Sequence, residues 1–210
     1  MTSKPPPTLA PSVHGRPRSL EAQRAVLAAA RALVEKGGYP LATIDAIAAR
    51  SGVAKTTIYR WWPNRASLVV DLLAEMSAED VPPYAGSDPL PGIRTELRLI
   101  ADAGKTTIGS LITSLLAEAQ HDLEVRAALV DRLFQPRRRA MAAAVRELQE
   151  SGQIRSDANP LTIVDLLTGP LFYRMFVRHE PLTRRYADSV FDEVMAGLRP
   201  RTGKRGMRGR

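Results

Sequence analysis

The sequence predicts an all-α protein in which a small, basic helix-turn-helix module precedes a larger helical body. Three observations carry this reading. Apolar residues recur at helical spacing along nearly the whole chain, without a convincing run of strand-like alternation or an internal repeat. Prolines and glycines fall where such helices should start and stop. The formal net charge of +8 is unevenly spread: +3 in residues 1–18, +4 in 19–65 and +6 in 199–210 leave −5 for residues 66–198. A basic front joined to a mildly acidic body suits a module for a polyanion attached to a unit that need not touch it, although basic tails can also serve solubility alone.

Taken in order, residues 1–18 read as a flexible basic arm and Ser19 as the N-cap of a helix over 19–36, in which Leu20, Val26, Leu27, Ala30 and Val34 recur until Gly37 and Gly38 stop it. Short helices over 43–50 and 55–62 follow, then one over 64–77, with Pro63 separating the last two. Residues 81–92 hold four prolines and two glycines and read as a linker or surface loop. Beyond it helices are expected at 93–103, 106–120, 123–134, 136–151, 160–178 and 183–197. Asn159 and Pro160 form a cap and first-turn pair, and Gly152 and Gly197 act as stops. The expected organisation is therefore an arm (1–18), a helix-turn-helix domain (19–65), a larger helical domain (66–198) and a disordered basic tail (199–210) whose last ten residues have Met207 as their one large apolar side chain.

Composition narrows the function classes. The 210 residues lack cysteine, which excludes disulfides and cysteine-held metals, and no stretch approaches the roughly 18 uncharged apolar residues of a membrane span. A cytoplasmic protein with no membrane partner is expected. Only His14, His121 and His179 are present, with no glycine-rich phosphate loop, no HExxH and no paired histidine spacing, so neither an enzyme nor a cofactor is expected. His121 beside Asp122 at a helix junction reads as a surface residue next to a capping acid rather than a catalytic base.

The run IDAIAARSGVAKTTIYRWW, residues 44–62, fits a helix-turn-helix position by position. Ala48 is small where two helices must cross, and Gly52 can take the positive φ of the turn without steric cost. Ile44, Ile47, Val53, Ile58 and one tryptophan fall on inner faces, leaving Lys55, Thr56, Thr57, Tyr59 and Arg60 free to point outward. Short hydroxyls, a phenol and a guanidinium on a second helix suit the major groove, where threonine reaches base edges or thymine methyls and arginine takes guanine. A plain helical hairpin with a polar face would share the periodicity, but not the joint agreement of alanine, glycine, apolar positions and local charge.

At these residues a resemblance is plain. The run TIDAIAARSGVAKTTIYRWWPNRASL, residues 43–68, resembles the DNA-binding module of the tetracycline-repressor (TetR/AcrR) family of bacterial regulators, and LLAEAQHDLEVRAAL, QPRRRAM and DLLTGPLFYR resemble one of that family's C-terminal domain types. The resemblance implies a dimeric regulator, most simply a repressor, that binds a palindromic double-stranded DNA operator and releases it when a small apolar inducer binds. It implies that Thr43 caps its helix and offers its hydroxyl and neighbouring N–H groups to a phosphate, and that Lys55 and Tyr59 grip phosphates. Thr56, Thr57 and Arg60 then lie nearest the bases and Arg65 braces the far side of the groove. Trp61 and Trp62 stand where the family often has His-Phe, and Arg65 where it often has Lys, so the phosphate contact expected at Trp61 is the one in question. In the arm, Arg16 and Arg18 lie in HGRPRS, read either as a minor-groove hook or as a source of nonspecific phosphate affinity.

The larger body would serve dimerisation and ligand binding. LTIVDLLTGPLFYRMFV is apolar nearly all round and needs two partners, its own core and a twin helix of a second subunit. Phe172, Val190, Phe191 and Val194 are the expected interface residues, and Pro170 should bend the helix. Leu111, Leu115, Phe134, Met141, Phe172 and Phe176 are candidates for a cavity wall, each also readable as plain core. Glu118 lies on the side of Leu111 and Leu115 and is expected to pair with Arg137, Arg138 or Arg139, or else to hold an inducer. Two other readings remain: a DNA-binding regulator without an inducer, and a helical enzyme with a basic N-terminus.

Overall fold

The computed structural model describes residues 17–78 and 88–200. Within them every regular element is helical: α1 (Pro17–Gly37), a 3₁₀ turn (Tyr39–Leu41), α2 (Ile44–Ser51), α3 (Lys55–Trp61), α4 (Arg65–Ala78), α5 (Leu90–Ala103), α6 (Thr107–Glu118), α7 (Leu123–Leu129), a π turn (Val130–Phe134), α8 (Gln135–Glu150), α9 (Pro160–Val177) and α10 (Arg184–Gly197). Helix starts are set by side-chain oxygens that accept otherwise orphaned N–H groups: Thr43 from Ala46, Asp122 from Glu124 and Val125, Asn159 from Leu161 and Thr162, and Thr183 from Tyr186. None of the described helices is long and apolar enough to cross a membrane.

Helices α1 to α3 enclose a small core of Val26, Ala30, Ile47, Ile58 and Trp62, all at most 4% exposed. The α2–α3 turn closes on Gly52, whose φ of 70° is the left-handed conformation and whose N–H donates to the Ala48 carbonyl. Helix α4 then leaves the module and buries Leu68, Val69, Leu72 and Leu73 to 1% exposure or less, continuous with the core of the larger body. There α8 packs on α9, and α5 packs on α10. The α5–α10 pair is clamped by Arg98, whose Nε and Nη2 reach the two Asp188 oxygens at 2.7 and 2.9 Å.

The structure departs from the sequence reading at element ends. Helix α1 begins at Pro17, so Ser19 lies inside it rather than capping it, because a proline needs no N–H partner in a first turn. For the same reason α5 begins at Leu90 with Pro91 in its first turn, and the last residues of the expected 81–92 loop are helical. The expected break near Pro136 is absent. A π turn carries the helix from α7 into α8, with the Gln135 N–H donating to the Val130 carbonyl and Pro136 seated where no donor is required. The 3₁₀ turn at Tyr39–Leu41 was not anticipated. Helix α9 runs unbroken through Pro170. The arm up to residue 16, residues 79–87 of the linker and the tail from 201 lie outside the described residues.

Candidate nucleic-acid interface and ligand cavity

Burial of Ile58 on the inner side of α3 turns Lys55, Thr56, Tyr59 and Arg60 to solvent, with Thr57 half-buried beside them. Tyr59 keeps 49% of its surface exposed, an unusual amount for an aromatic ring with no partner in the core. Lys55 forms an ion pair with Asp45 in the first turn of α2, which raises its pKa above the usual lysine value through that hydrogen bond. Both members are exposed, so exchanging this pair for a phosphate costs little. Arg60 reaches over the Trp61 ring at 5.7 Å, and Trp61 is half-buried edge-on to Trp62. The Thr43 oxygen is 3.1 Å from the Ala46 nitrogen and caps α2. Arg16 and the side chain of Arg18 lie outside the described residues.

Arg65 is engaged at the junction with the larger body. Its guanidinium lies 3.9 Å over the Tyr39 ring and 3.7 Å from Glu118 Oε2, turned toward the body. The Tyr39 hydroxyl donates to the same carboxylate oxygen at 2.5 Å. Burial first, then the Glu118 hydrogen bond, hold the Tyr39 phenol above its usual pKa, so it stays the donor. Glu118 therefore pairs with Tyr39 and Arg65 and not with Arg137, Arg138 or Arg139, because the end of α6 abuts the 3₁₀ turn rather than α8. Two further ties cross the same junction: Asn64 Nδ2 to Glu124, and Trp62 Nε1 to Asp71, whose other oxygen takes Arg132 of the π turn at 2.6 Å.

A cavity of about 360 Å³ opens between α5, the start of α6, the π turn with α8, and α9. Phe134, Met141 and Phe172 stand on its wall, Phe134 edge-on to Phe172 at 5.7 Å. Leu111 and Leu115 do not: both are 0% exposed and face the packed core. Phe176 is 43% exposed and stacks on Phe172 from outside, and Glu118 belongs to the junction above. The wall also carries Glu96, 3% exposed, whose Oε2 has no hydrogen-bond partner. Burial pushes its carboxyl up to about 6 against the pull of the Arg137 charge. Arg137 donates from Nη2 to the Ser77 carbonyl at 2.6 Å, which joins this wall to the far end of α4.

The outer face of α9 leaves Leu166, Tyr173 and Val177 exposed in a helical stripe, with Val190 and Val194 of α10 half-buried next to it. Phe191 is not on this face. It is 5% exposed, capped by the Arg94 guanidinium 4.1 Å over its ring, and belongs to the α5–α10 core. Phe172 points to the cavity, so neither phenylalanine expected at an interface is available to a second subunit.

Residues 26–72 match the family described as bacterial regulatory proteins, tetR family, and residues 93–194 match the tetracyclin repressor-like C-terminal domain. The chain belongs to the TetR family. It is a DNA-binding transcriptional regulator with the architecture of that family. An uncharacterized HTH-type transcriptional regulator of Bacillus subtilis, YdeS, is 29% identical over 188 residues, 89% of this chain and 94% of that one. The DNA-binding transcriptional repressor TetR of Mycobacteroides abscessus is 25% identical over 178 residues, 83% of this chain and 92% of that protein. The crystal structure of the TetR family transcription regulator SCO0332 superposes with a TM-score of 0.76 at 28% identity, covering 86% of this chain and all of the other.

Within this TetR-family chain, the sequence did not single out Glu96 or Tyr39, and it offered Arg137 only as a partner for Glu118. Glu96 was detectable: Ile93, Glu96, Leu97 and Ile100 make one helical stripe, and a carboxylate in a core stripe calls for an explanation. The Ser77–Arg137 and Tyr39–Glu118 contacts join residues 60 and 79 positions apart, and no local pattern announces them.

Removing the Tyr39 hydroxyl leaves the Glu118 oxygen short of a partly buried donor. Tyr39→Phe is expected to lower the unfolding free energy by about 1–2 kcal/mol in urea denaturation. A carboxyl raised from 4.5 to about 6 on folding binds its proton more tightly in the native state. The resulting stability is full below pH 4.5 and declines as the pH rises through about 6. Near neutral pH the ionised Glu96 thus costs about 2 kcal/mol. Glu96→Gln is expected to raise the unfolding free energy there by about that amount and to flatten the decline, both read from denaturation curves across this pH range.

Proposed function

We propose that this regulator is a cytoplasmic repressor that holds a palindromic operator as a homodimer and releases it when a small, largely apolar inducer enters the cavity. The observation that carries this is the path of α4. It leaves the DNA-reading module beside Trp62 and ends where the Ser77 carbonyl takes the Arg137 side chain of the cavity wall. The division into a DNA-binding unit over 19–65 and a ligand and dimerisation unit over 66–198 belongs to this reading, with Phe134, Met141 and Phe172 as ligand contacts. On the DNA side, Thr56 and Arg60 read bases with Thr57 at their flank, Lys55 and Tyr59 hold phosphates, and Thr43 presents the N-terminus of α2 to another. Each protomer reads half a site, so the two α3 helices must stand one DNA turn apart, about 34–36 Å. A ligand that favours a different dimer shape breaks that match, and it acts only through its unequal affinity for the two shapes.

Operator fragments selected from genomic DNA by gel shift supply the test. Thr56→Ala and Arg60→Ala are each expected to lose about 1–3 kcal/mol of specific binding with nonspecific affinity kept, whereas Lys55→Ala lowers both and reduces the salt slope by about 1. Equal losses on operator and random duplexes in all three variants would overturn the assignment.

The dimer is assigned to the stripe on α9 with the adjoining part of α10. Leu166→Arg or Tyr173→Asp is expected to give folded monomers by light scattering with operator affinity lost, because an unpaired charge in an apolar interface costs several kcal/mol. Phe191→Asp should instead unfold the protomer, since that ring is 5% exposed within it.

A further inference from the structure

The cavity wall specifies more than apolarity. Resting on the inducer reading above, we propose that the ligand of this cavity is an apolar molecule bearing one protonated amine, which Glu96 receives. Most charged groups on the wall are already satisfied within the chain. Asp165 takes Arg138 in a two-pronged bond at 2.9 and 2.7 Å, Asp102 takes Arg184 at 2.7 Å, and Arg137 is held by the Ser77 carbonyl. The wall hydroxyls of Thr106 and Thr168 donate to the Ala103 and Val164 carbonyls. Glu96 differs, since it is 3% exposed, forms no ion pair among the described residues, and its Oε2 lacks a donor.

A buried carboxyl without a partner is costly, and the chain meets that cost on the wall of its own cavity. An ammonium group answers it twice, with three N–H donors and with the opposite charge, at a buried carboxyl where such a bond is strong. A hydroxyl would donate one bond and leave the charge uncompensated. A carboxylate would be drawn to Arg137, but that guanidinium is only half-buried, already has a carbonyl partner and can reach water. The need of Glu96 is therefore the greater. The rest of the wall suits a compact apolar or aromatic body: Phe134 and Phe172 present edges and faces, with Ile112, Met141 and Val164 around them, in a volume at the small end of ligand sites.

Phenylbutylamine, phenylbutanol and phenylbutyrate have one body and three head groups, and titration calorimetry of the full chain near neutral pH ranks them. The amine is expected to bind wild type about 10–100-fold more tightly than the alcohol. Glu96→Gln should erase that difference, with a cooperative unfolding transition showing that the variant is folded. The wild-type ranking decides the matter even if the variant fails to fold. Alcohol or carboxylate binding as tight as the amine, or an amine preference that survives Glu96→Gln, would overturn the assignment and leave an inducer cavity standing. Failure of all three probes to bind at millimolar concentration would overturn the cavity as a ligand site and this assignment with it.

Discussion

Helix α4 belongs to two cores at once. Its first turns pack against α1, and its later turns pack among α6, α7 and the π turn, with Leu68, Leu72 and Leu73 buried throughout. A closely packed helix of this kind cannot tilt at one end without moving side chains at the other, because interiors at near-crystalline density deform by switching between arrangements rather than by continuous strain. Polar ties run along the same path. Asp71 sits midway along α4 and holds both Trp62, which closes the DNA-reading module, and Arg132, which lies in the π turn next to the cavity residues Leu133 and Phe134.

The π turn sets this arrangement locally. One extra residue per turn lets Arg132 face α4 while Leu133 and Phe134 face the cavity, and it carries the chain past Pro136 without a break. A displacement of Phe134 by a ligand would thus be felt at Arg132 through a single turn of backbone. At the other end of the same wall, Arg137 grips the Ser77 carbonyl in the last turn of α4. Both contacts involve arginine, whose fork of donors keeps its geometry under load better than a lysine would.

This wall is not built for stability alone. The chain spends well-placed ion pairs on α5–α10 and α8–α9, through Arg98–Asp188 and Arg138–Asp165, yet leaves the Glu96 carboxyl unmatched between them. A core chosen for stability alone would place an apolar residue at that point of the Ile93, Leu97 and Ile100 stripe. The cavity likewise forfeits packing that a filled core would keep.

What the sequence determined by itself is local chemistry. Helical periodicity, the Thr43 cap, the Gly52 turn and the outward set on α3 follow from neighbours within a few residues, and the DNA-reading module is legible for that reason. The tertiary structure decided which apolar residues form core, cavity or outer face. Leu111 and Leu115 look like Phe134 and Met141 in any window of sequence, and only the approach of α5, α8 and α9 separates packed from cavity-lining positions. Phe191 turned inward because Arg94 and α5 cover it, while Tyr173 remained outside. Arg65 meets a ring and a carboxylate at once, Tyr39 and Glu118, and the latter comes from a helix more than fifty residues away. Periodicity reports that a side chain is apolar or charged; what it meets is set by packing between distant elements.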